Sequence, residues 1–368
     1  MGTAHLARAP PQGASACAAG ANTAFGIRKL MGSVISKDKL ILFLRETFGL
    51  SESISVEFSP LEGRGSDRVF SRLRWNREHS AILVHYDPER VENTYYAGIA
   101  AFLRDIDVAV PRLIRDDPVL CFILMEDLGN TDLWSLRNVP WEIRRVLYEK
   151  TLTIIHRLHS FPEKDFPWKQ VRLMEGFGPD LCRWERDYFR DHFVRGVCGI
   201  ELESTFAQAL EAELSGLAER LAGTSRSLVH RDLQSQNVMI LNGEPFLIDF
   251  QGMRFGSPFY DLASLLCDPY VEFLDRERNE LLMFYYGLSR GDIDGSTFQG
   301  AFWEASAQRL MQALGAYGFL GLKKGLKHFL GYIPPGLRNL HNATLQVTSL
   351  PRLRELSSAC QRSIDQQG

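Results

Sequence analysis

The residues best suited to chemistry fall in one segment, Leu228-Val229-His230-Arg231-Asp232-Leu233-Gln234-Ser235-Gln236-Asn237, with Ile248-Asp249-Phe250 centred twelve residues after its end. Between them Asn242-Gly243 joins two short apolar runs, 238–242 and 245–249, and this dipeptide is a strong hairpin signal. A hairpin there returns Asp249 to the neighbourhood of Asn237. Two carboxylates and a carboxamide gathered in this way suit phosphoryl transfer. That reaction needs charge neutralised at the transferring phosphates and an acceptor oxygen held in line. Asp232, on the loop, would orient the oxygen and take its proton. Asn237 and Asp249 would hold magnesium ions, while His230 and Arg231 brace the loop. A lone His-x-Asp says little, since Asp232 by itself could cap a helix; the reading rests on the joint pattern.

The elements that must position these groups change character along the chain. A helix beginning near Ser36 carries Leu40, Phe43 and Leu44 and ends at Gly49. Residues 54–58, 68–75 and 80–86 then read as strands, the first two linked by the turn-rich Glu62-Gly63-Arg64-Gly65-Ser66-Asp67. A helix over about 90–104 follows, then Pro111 and two short strands. The second of these, 119–125, is apolar throughout and reads as buried on both faces. After the linker Glu126-Asp127-Leu128-Gly129-Asn130, helical spacing takes over at 141–160, 180–195, 203–222, 260–267, 272–287 and 297–314. The chain therefore reads as α+β. A small antiparallel-sheet lobe spans 34–128, a larger mainly helical lobe holding the buried hairpin spans 129–360, and 361–368 form a tail. Residues 1–33, rich in Ala and Gly, read as a disordered extension, with Met31 opening a more usual N-terminus. Residues 14–25 contain Ser, Gly, Asn and Thr where a secretory signal needs an apolar core.

Composition bounds the partners. Forty-two Lys and Arg against forty-five Asp and Glu leave a net charge of −3, which points to neither nucleic acid nor an anionic membrane. No run approaches the ~20 apolar residues of a membrane span. The six cysteines include no C-x-x-C pair, so free thiols in the cytoplasm are expected rather than disulfides or a zinc site.

His230 to Asn237 satisfies every fixed position of the kinase catalytic-loop pattern H-R-D-L-x-x-x-N, and Asp249-Phe250 matches the opening of D-F-G with Gln251 for Gly. With Phe259-Tyr260-Asp261-Leu262-Ala263-Ser264-Leu265-Leu266 just beyond, the chain resembles the aminoglycoside phosphotransferase and choline kinase superfamily, which shares a bilobed protein-kinase-like fold. No A-P-E element occurs, and Gln234 stands where many Ser/Thr kinases carry Lys, so a protein substrate is not expected. The resemblance is closer to the bacterial kinases that phosphorylate N-acetylmuramate and N-acetylglucosamine at the anomeric hydroxyl. Four stretches spread over about 55–340 carry it: Gly63-Arg64-Gly65-Ser66-Asp67-Arg68 with Phe70 and Arg72; Leu124 to Gly129; Ile248 to Gln251 with Gly256, Pro258 and Tyr260-Asp261-Leu262; and Gln308-Arg309-Leu310 with Leu314-Gly315 and Ile333-Pro334. The resemblance implies ATP and Mg²⁺. It places Gly63, Arg64, Gly65, Ser66 and Arg68 over the phosphates, and the backbone of Glu126 and Leu128 at the adenine. It gives Asp261 and Arg72 supporting roles. The acceptor it implies is a small molecule, an amino sugar; an aminoglycoside or another small alcohol is the alternative, and a catalytically dead nucleotide-binding scaffold is the reading from another class.

The small lobe departs from the kinase pattern in lacking a lysine at the V-A-I-K position, where Val84 and His85 stand. Arg68 or Arg72 either supplies the missing cation or is a solvated strand residue. Gly63-Arg64-Gly65 either cradles phosphate or is an ordinary turn, and Arg64 occupies a place where the sugar kinases have Asp. Three other features carry bland readings: His156 and His159 as a partly exposed pair without a carboxylate partner rather than a metal site, Trp184, Tyr188 and Phe189 as core rather than a sugar-stacking platform, and Lys323, Lys324, Lys327 and His328 as a solvated face, with steering of an anionic substrate such as a carboxylated sugar as its alternative.

Overall fold

Alternation of side chains along short strands produces a five-stranded antiparallel sheet in the order β1-β2-β3-β5-β4, in a computed structural model that describes residues 37–61, 67–76, 78–289 and 293–367. The strands are β1 (Glu57–Leu61), β2 (Val69–Trp75), β3 (His79–His85), β4 (Leu113–Asp117) and β5 (Phe122–Glu126). The chain divides into two units, one comprising the residues through Asp87 together with Ile114–Asp127, the other Pro88–Leu113 and Leu128 onward. In the first, Leu73 stands opposite Ala81 and Leu83 opposite Leu124, so one face of the sheet gathers these residues. The helix α1 (Lys37–Phe48) packs Leu40, Phe43 and Leu44 onto them. Leu44, Leu73, Leu83 and Leu124 are each fully buried, and each such side chain stabilises the fold by about 1.5–3 kcal/mol relative to exposure. On the other face Arg72 aligns with Ile82, and Ile82 with Met125.

Two expectations shift here. The first strand begins at Glu57 rather than Ile54, because Ile54 and Val56 pack against the core before pairing starts. Its Pro60 is tolerated because β1 lies at the sheet edge. The apolar run 119–125 is only partly strand. Asp117 accepts the amides of Val119 and Leu120 at 3.1 and 2.9 Å, Cys121 adopts φ +55°, and Val119 is 89% exposed. A turn built on Asp117-Pro118 overrides the hydrophobic pattern there.

The second unit opens with a short 3₁₀ turn, Val91–Tyr95, and α2 (Tyr96–Asp105). This segment fell within the 34–128 lobe of the sequence reading, but here it groups with the helices: Tyr96 stacks on Phe250 at 4.6 Å and Leu247 donates to the Ala109 carbonyl. α3 (Trp141–His159), α4 (Pro179–Phe189) with a π-helical turn over Arg190–Arg195, and α5 (Ser204–Ala222) come next. They are followed by β6 (Ser227–Val229), β7 (Val238–Leu241), β8 (Glu244–Leu247) and β9 (Arg254–Gly256), with β7 paired to β8 and β6 to β9. Asn242 and Gly243 both take positive φ, as the hairpin signal requires. α6 (Pro258–Leu266), α7 (Asp275–Ser289), α8 (Gly295–Gly318), α9 (Ile333–Gln346) and α10 (Pro351–Gln367) complete the chain. α9 lies beyond the last helical segment read from the sequence; its Pro334 and Pro335 stand in the first turn, a place proline suits. The expected tail 361–368 is the last part of α10, where Ser363 donates to the Cys198 carbonyl at 2.7 Å. The five cysteines among the described residues are free thiols.

The long helix α8 packs against α4, α6 and α9. Its glycines permit the approach to α4 and the π-helical turn after it: a Cβ at Gly318 would sit 2.2 Å from the His192 carbonyl oxygen, and one at Gly315 would sit 3.0 Å from the Phe189 nitrogen. Alanine is intrinsically the better helix former, by about 1 kcal/mol, but the Gly318 clash is with backbone, which has no rotamer to yield. Gly318→Ala is therefore expected to destabilise the fold by about 1–3 kcal/mol in urea denaturation. Gly300→Ala, at a position on the same helix with open space around it, is expected to be neutral or to stabilise by up to ~1 kcal/mol.

Candidate active site

Strand pairing brings the two chemistry-bearing loops together. The first, His230 to Asn237, leaves β6 and enters β7; the second, Ile248 to Met253, leaves β8 and enters β9. Because β7 pairs with β8 and β6 with β9, both loops are pinned at both ends. Ile248 donates to the Asn237 carbonyl at 2.9 Å, and the His230 ring lies 3.0 Å from the Ile248 carbonyl. His230 is completely buried, in keeping with a bracing role.

Two buried carboxylates hold the first loop from below. Asp261, on α6, accepts the amides of His230 and Arg231, each at 2.7 Å. Arg231 sits at φ +78°, a conformation costly for a non-glycine residue, and the double amide contact fixes it. His159 on α3 approaches Asp261 at 3.0 Å through one ring nitrogen and Tyr285 at 2.7 Å through the other. Sequence reading missed this: His159 is buried, not partly exposed, and its carboxylate partner lies 102 residues away. Asp268 accepts the Ser235 amide and hydroxyl at 2.7 and 2.6 Å, and burial pushes its carboxyl pKa up.

Asp232 projects from this frame with 28% of its side chain exposed, enough for a small acceptor to reach it. Arg231 lies 3.0 Å from one carboxylate oxygen and Arg309, from α8, 3.7 Å from the other. Burial opposes the charge on Asp232, but the two guanidiniums outweigh it and hold its pKa below the usual carboxylate range. Arg309 is held in turn by Ser264, whose hydroxyl accepts its Nε at 2.8 Å. Behind them Glu185, fully buried on α4, accepts from Tyr260 at 2.9 Å and Gln308 at 2.8 Å, and burial raises its pKa. Gln308 and Arg309 were noted in the sequence only as part of a resembling stretch. Glu185 carried no signal, because a buried polar side chain leaves no local periodicity.

Asn237 and Asp249, the expected metal ligands, are each fixed by a hydrogen bond. Asn237 donates its Nδ2 to the Asp232 carbonyl at 2.8 Å, which turns Oδ1 to the opposite side. Asp249, at φ +65°, accepts from Gln251 at 2.8 Å, so the residue replacing glycine in D-F-G steadies the carboxylate. Asp249 acts on Asp232 as a like charge, which a bound cation would relieve. Two protein oxygens fit Mg²⁺, which keeps water and takes substrate phosphates for its remaining positions. Among the described residues no cluster of three His, Cys, Asp or Glu forms a separate metal cage.

Of the residues expected at the nucleotide, Gly63, Arg64, Gly65 and Ser66 lie outside the described residues. Arg68 stands over the Phe70 ring, 5.4 Å from its centroid. Arg72 is buried and paired through two nitrogens with Asp127, at 2.7 and 2.9 Å. Glu126 ends β5, and Leu128, nearly buried, begins the next stretch of the second unit. Trp184 corrects another expectation: it is half exposed and stacks on Tyr188 at 4.9 Å rather than filling core.

Replacing Asp232 by Asn keeps the side-chain shape and removes the proton acceptor. Asp232→Asn is expected to lower kcat by about 10²–10⁴-fold. The far-UV circular dichroism spectrum and the denaturation midpoint are expected to stay close to native, and a variant that keeps native turnover would remove Asp232 from the role of base.

Residues 57–294 match the phosphotransferase enzyme family APH. The N-acetylmuramate/N-acetylglucosamine kinase of Pseudomonas aeruginosa is 24% identical over 323 residues, covering 86% of this chain and 91% of that protein. The protein of the same name from Neisseria meningitidis is 24% identical over 299 residues, covering 78% and 86%. Among solved structures, a choline/ethanolamine kinase family protein from Mesorhizobium loti aligns with a TM-score of 0.58 at 14% identity, over 87% of this chain and 98% of its own. The streptomycin–ATP–APH(2″)-IIa ternary complex aligns with a TM-score of 0.55 at 15% identity, over 79% and 92%. These likenesses show the protein-kinase-like fold. With the family match spanning most of the chain and the catalytic loop assembled as described, the chain belongs to the APH phosphotransferase family and is a phosphotransferase acting on a hydroxyl acceptor.

Proposed function

We propose that this protein is an ATP- and Mg²⁺-dependent cytoplasmic kinase that phosphorylates the anomeric hydroxyl of an amino sugar, N-acetylmuramate or N-acetylglucosamine, for cell-wall sugar recycling. The observation that carries the reading is the joined loop pair: an ionised, partly exposed Asp232 beside an Asn237–Asp249 pair. The names of the 24%-identical relatives support the choice of acceptor. Asp232 accepts the hydroxyl proton at its carboxylate and aims the oxygen, while Arg231 and Arg309 keep that carboxylate charged and in place. Asn237 and Asp249 would hold Mg²⁺, which when bound neutralises charge on the β- and γ-phosphate oxygens. In the first unit, Ile82 and Met125 lie on the sheet face that also carries Arg72, an apolar surface suited to adenine. Gly63, Arg64, Gly65, Ser66 and Arg68 would cover the phosphates, with the backbone of Glu126 and Leu128 at the adenine edge. No described helix is long and apolar enough to cross a membrane.

An aminoglycoside acceptor is disfavoured by charge. A polycation needs acidic groups near the base, and Asp232 is instead flanked by guanidiniums. Three acidic residues of the helical unit are committed elsewhere: Glu201 pairs with Arg195 at 3.1 Å, Glu211 with Arg186 at 2.8 Å, and Glu213 caps α10 through the amides of Arg352 and Leu353. Incubation with ATP, Mg²⁺ and a panel of N-acetylmuramate, N-acetylglucosamine, glucose, choline and kanamycin is expected to give sugar 1-phosphates in phosphorus and proton NMR. Removing the metal with EDTA is expected to abolish the product. Phosphate appearing on kanamycin or choline in preference to the amino sugars would overturn the assignment of acceptor.

A further inference from the structure

Arg254 opens β9 and is 7% exposed, yet its only hydrogen bond among the described residues runs from Nε to the Gly252 carbonyl at 3.1 Å. Its guanidinium lies 5.5 Å from the centroid of the Phe177 ring, and no Asp or Glu among the described residues pairs with it. A nearly buried cation left without a carboxylate is costly. Its place ties it to the reaction. Gly252, which anchors it, borders the catalytic base: a Cβ there would lie 3.9 Å from Asp232 Oδ2 and 3.7 Å from Arg231 Cδ. The other two guanidiniums of this region, Arg231 and Arg309, already face Asp232. Glu185, the nearby acid behind them, is taken up by Tyr260 and Gln308. Arg254 is thus left without a carboxylate in direct contact, and the two Nη groups of a guanidinium make a fork that can grip a carboxylate through parallel hydrogen bonds. Burial and the neighbouring Arg231 disfavour its charge in the free protein and outweigh the attraction of Asp232 and Glu185, a balance that an arriving anion would shift back.

We infer that Arg254 is a specificity residue that binds a carboxylate carried by the acceptor sugar, so that the preferred substrate is an acidic amino sugar whose lactyl-type carboxylate lies close to the hydroxyl facing Asp232. The inference rests on the amino-sugar kinase reading and sharpens it. On that reading Asn237 and Asp249 would serve the metal and phosphates, whereas Arg254 is tied through Gly252 to the neighbourhood of Asp232, where the acceptor hydroxyl would lie.

The test compares N-acetylmuramate with its methyl ester, which differ in charge at that one group, and adds N-acetylglucosamine, which lacks it. Binding is measured by calorimetry in the presence of ADP and Mg²⁺, and turnover by product NMR, for the native protein, Arg254→Gln and Arg254→Lys. The native protein is expected to prefer the free acid over the ester by roughly 10- to 100-fold, the range of a hydrogen-bonded charge. Arg254→Gln is expected to erase that preference while leaving kcat/KM for N-acetylglucosamine within about threefold, and Arg254→Lys to restore part of it. Equal native affinity for acid and ester would overturn the inference and leave the kinase reading standing. So would an Arg254→Gln variant that loses all three sugars alike, since the arginine would then serve the phosphates or the fold. A native protein that neither binds nor phosphorylates any of the three sugars would overturn the kinase reading itself, and the inference with it.

Discussion

The site depends on one carboxylate beneath one bend of backbone. Asp261 takes two consecutive amides, those of His230 and Arg231, and the bend between them puts Arg231 into the left-handed region. Only that bend lets His230 turn into the core while Asp232, two residues on, turns out. A non-glycine residue held there costs of order 1–3 kcal/mol, and two charge-assisted amide contacts more than offset it. His159 completes the partners of Asp261 and is itself held by Tyr285, both of them buried. The helices α3, α6 and α7 thus meet at a single buried acid, and the geometry of catalysis is set by how they pack.

The electrostatics follow from the same arrangement. Aligned by the bend, Arg231 meets Asp232, and Arg309 meets it from the other side. A carboxylate held in its charged form is a weak proton acceptor, so in the proposed reaction Asp232 would contribute more by aiming the hydroxyl than by pulling the proton early. This suits a loose transition state in which the attacking oxygen bonds late. It also leaves the surroundings of the base positive, which shapes what kind of acceptor can be accommodated.

Local signals and distant ones were unequally legible. The catalytic loop, the Asn242-Gly243 hairpin and most of the helices could be read because they depend on neighbours in sequence, and the structure places them as expected. The antiparallel sheet was legible from alternation, apart from the start of β1 and the run at 119–121, where Asp117 folds a turn out of apolar residues. The pairing of His159 with Asp261 and the hold of Arg309 on Asp232 were not legible. Each joins residues far apart along the chain, and a single buried polar side chain leaves no period to detect. The two C-terminal helices lie beyond the last helical segment read from the sequence; their prolines stand at first turns, where proline starts a helix rather than ending one.

The claim that Asp261 sets the catalytic geometry is tested most directly by hydrogen exchange at the His230 and Arg231 amides, followed residue by residue in the native protein and in Asp261→Asn. The account predicts that in the native protein these two amides exchange only with global unfolding. In the variant they should exchange at least ~100-fold faster than the core amides of β6 and β7, with phosphorylation falling in step. Unchanged protection of both amides in Asp261→Asn, or full activity after that protection is lost, would contradict it.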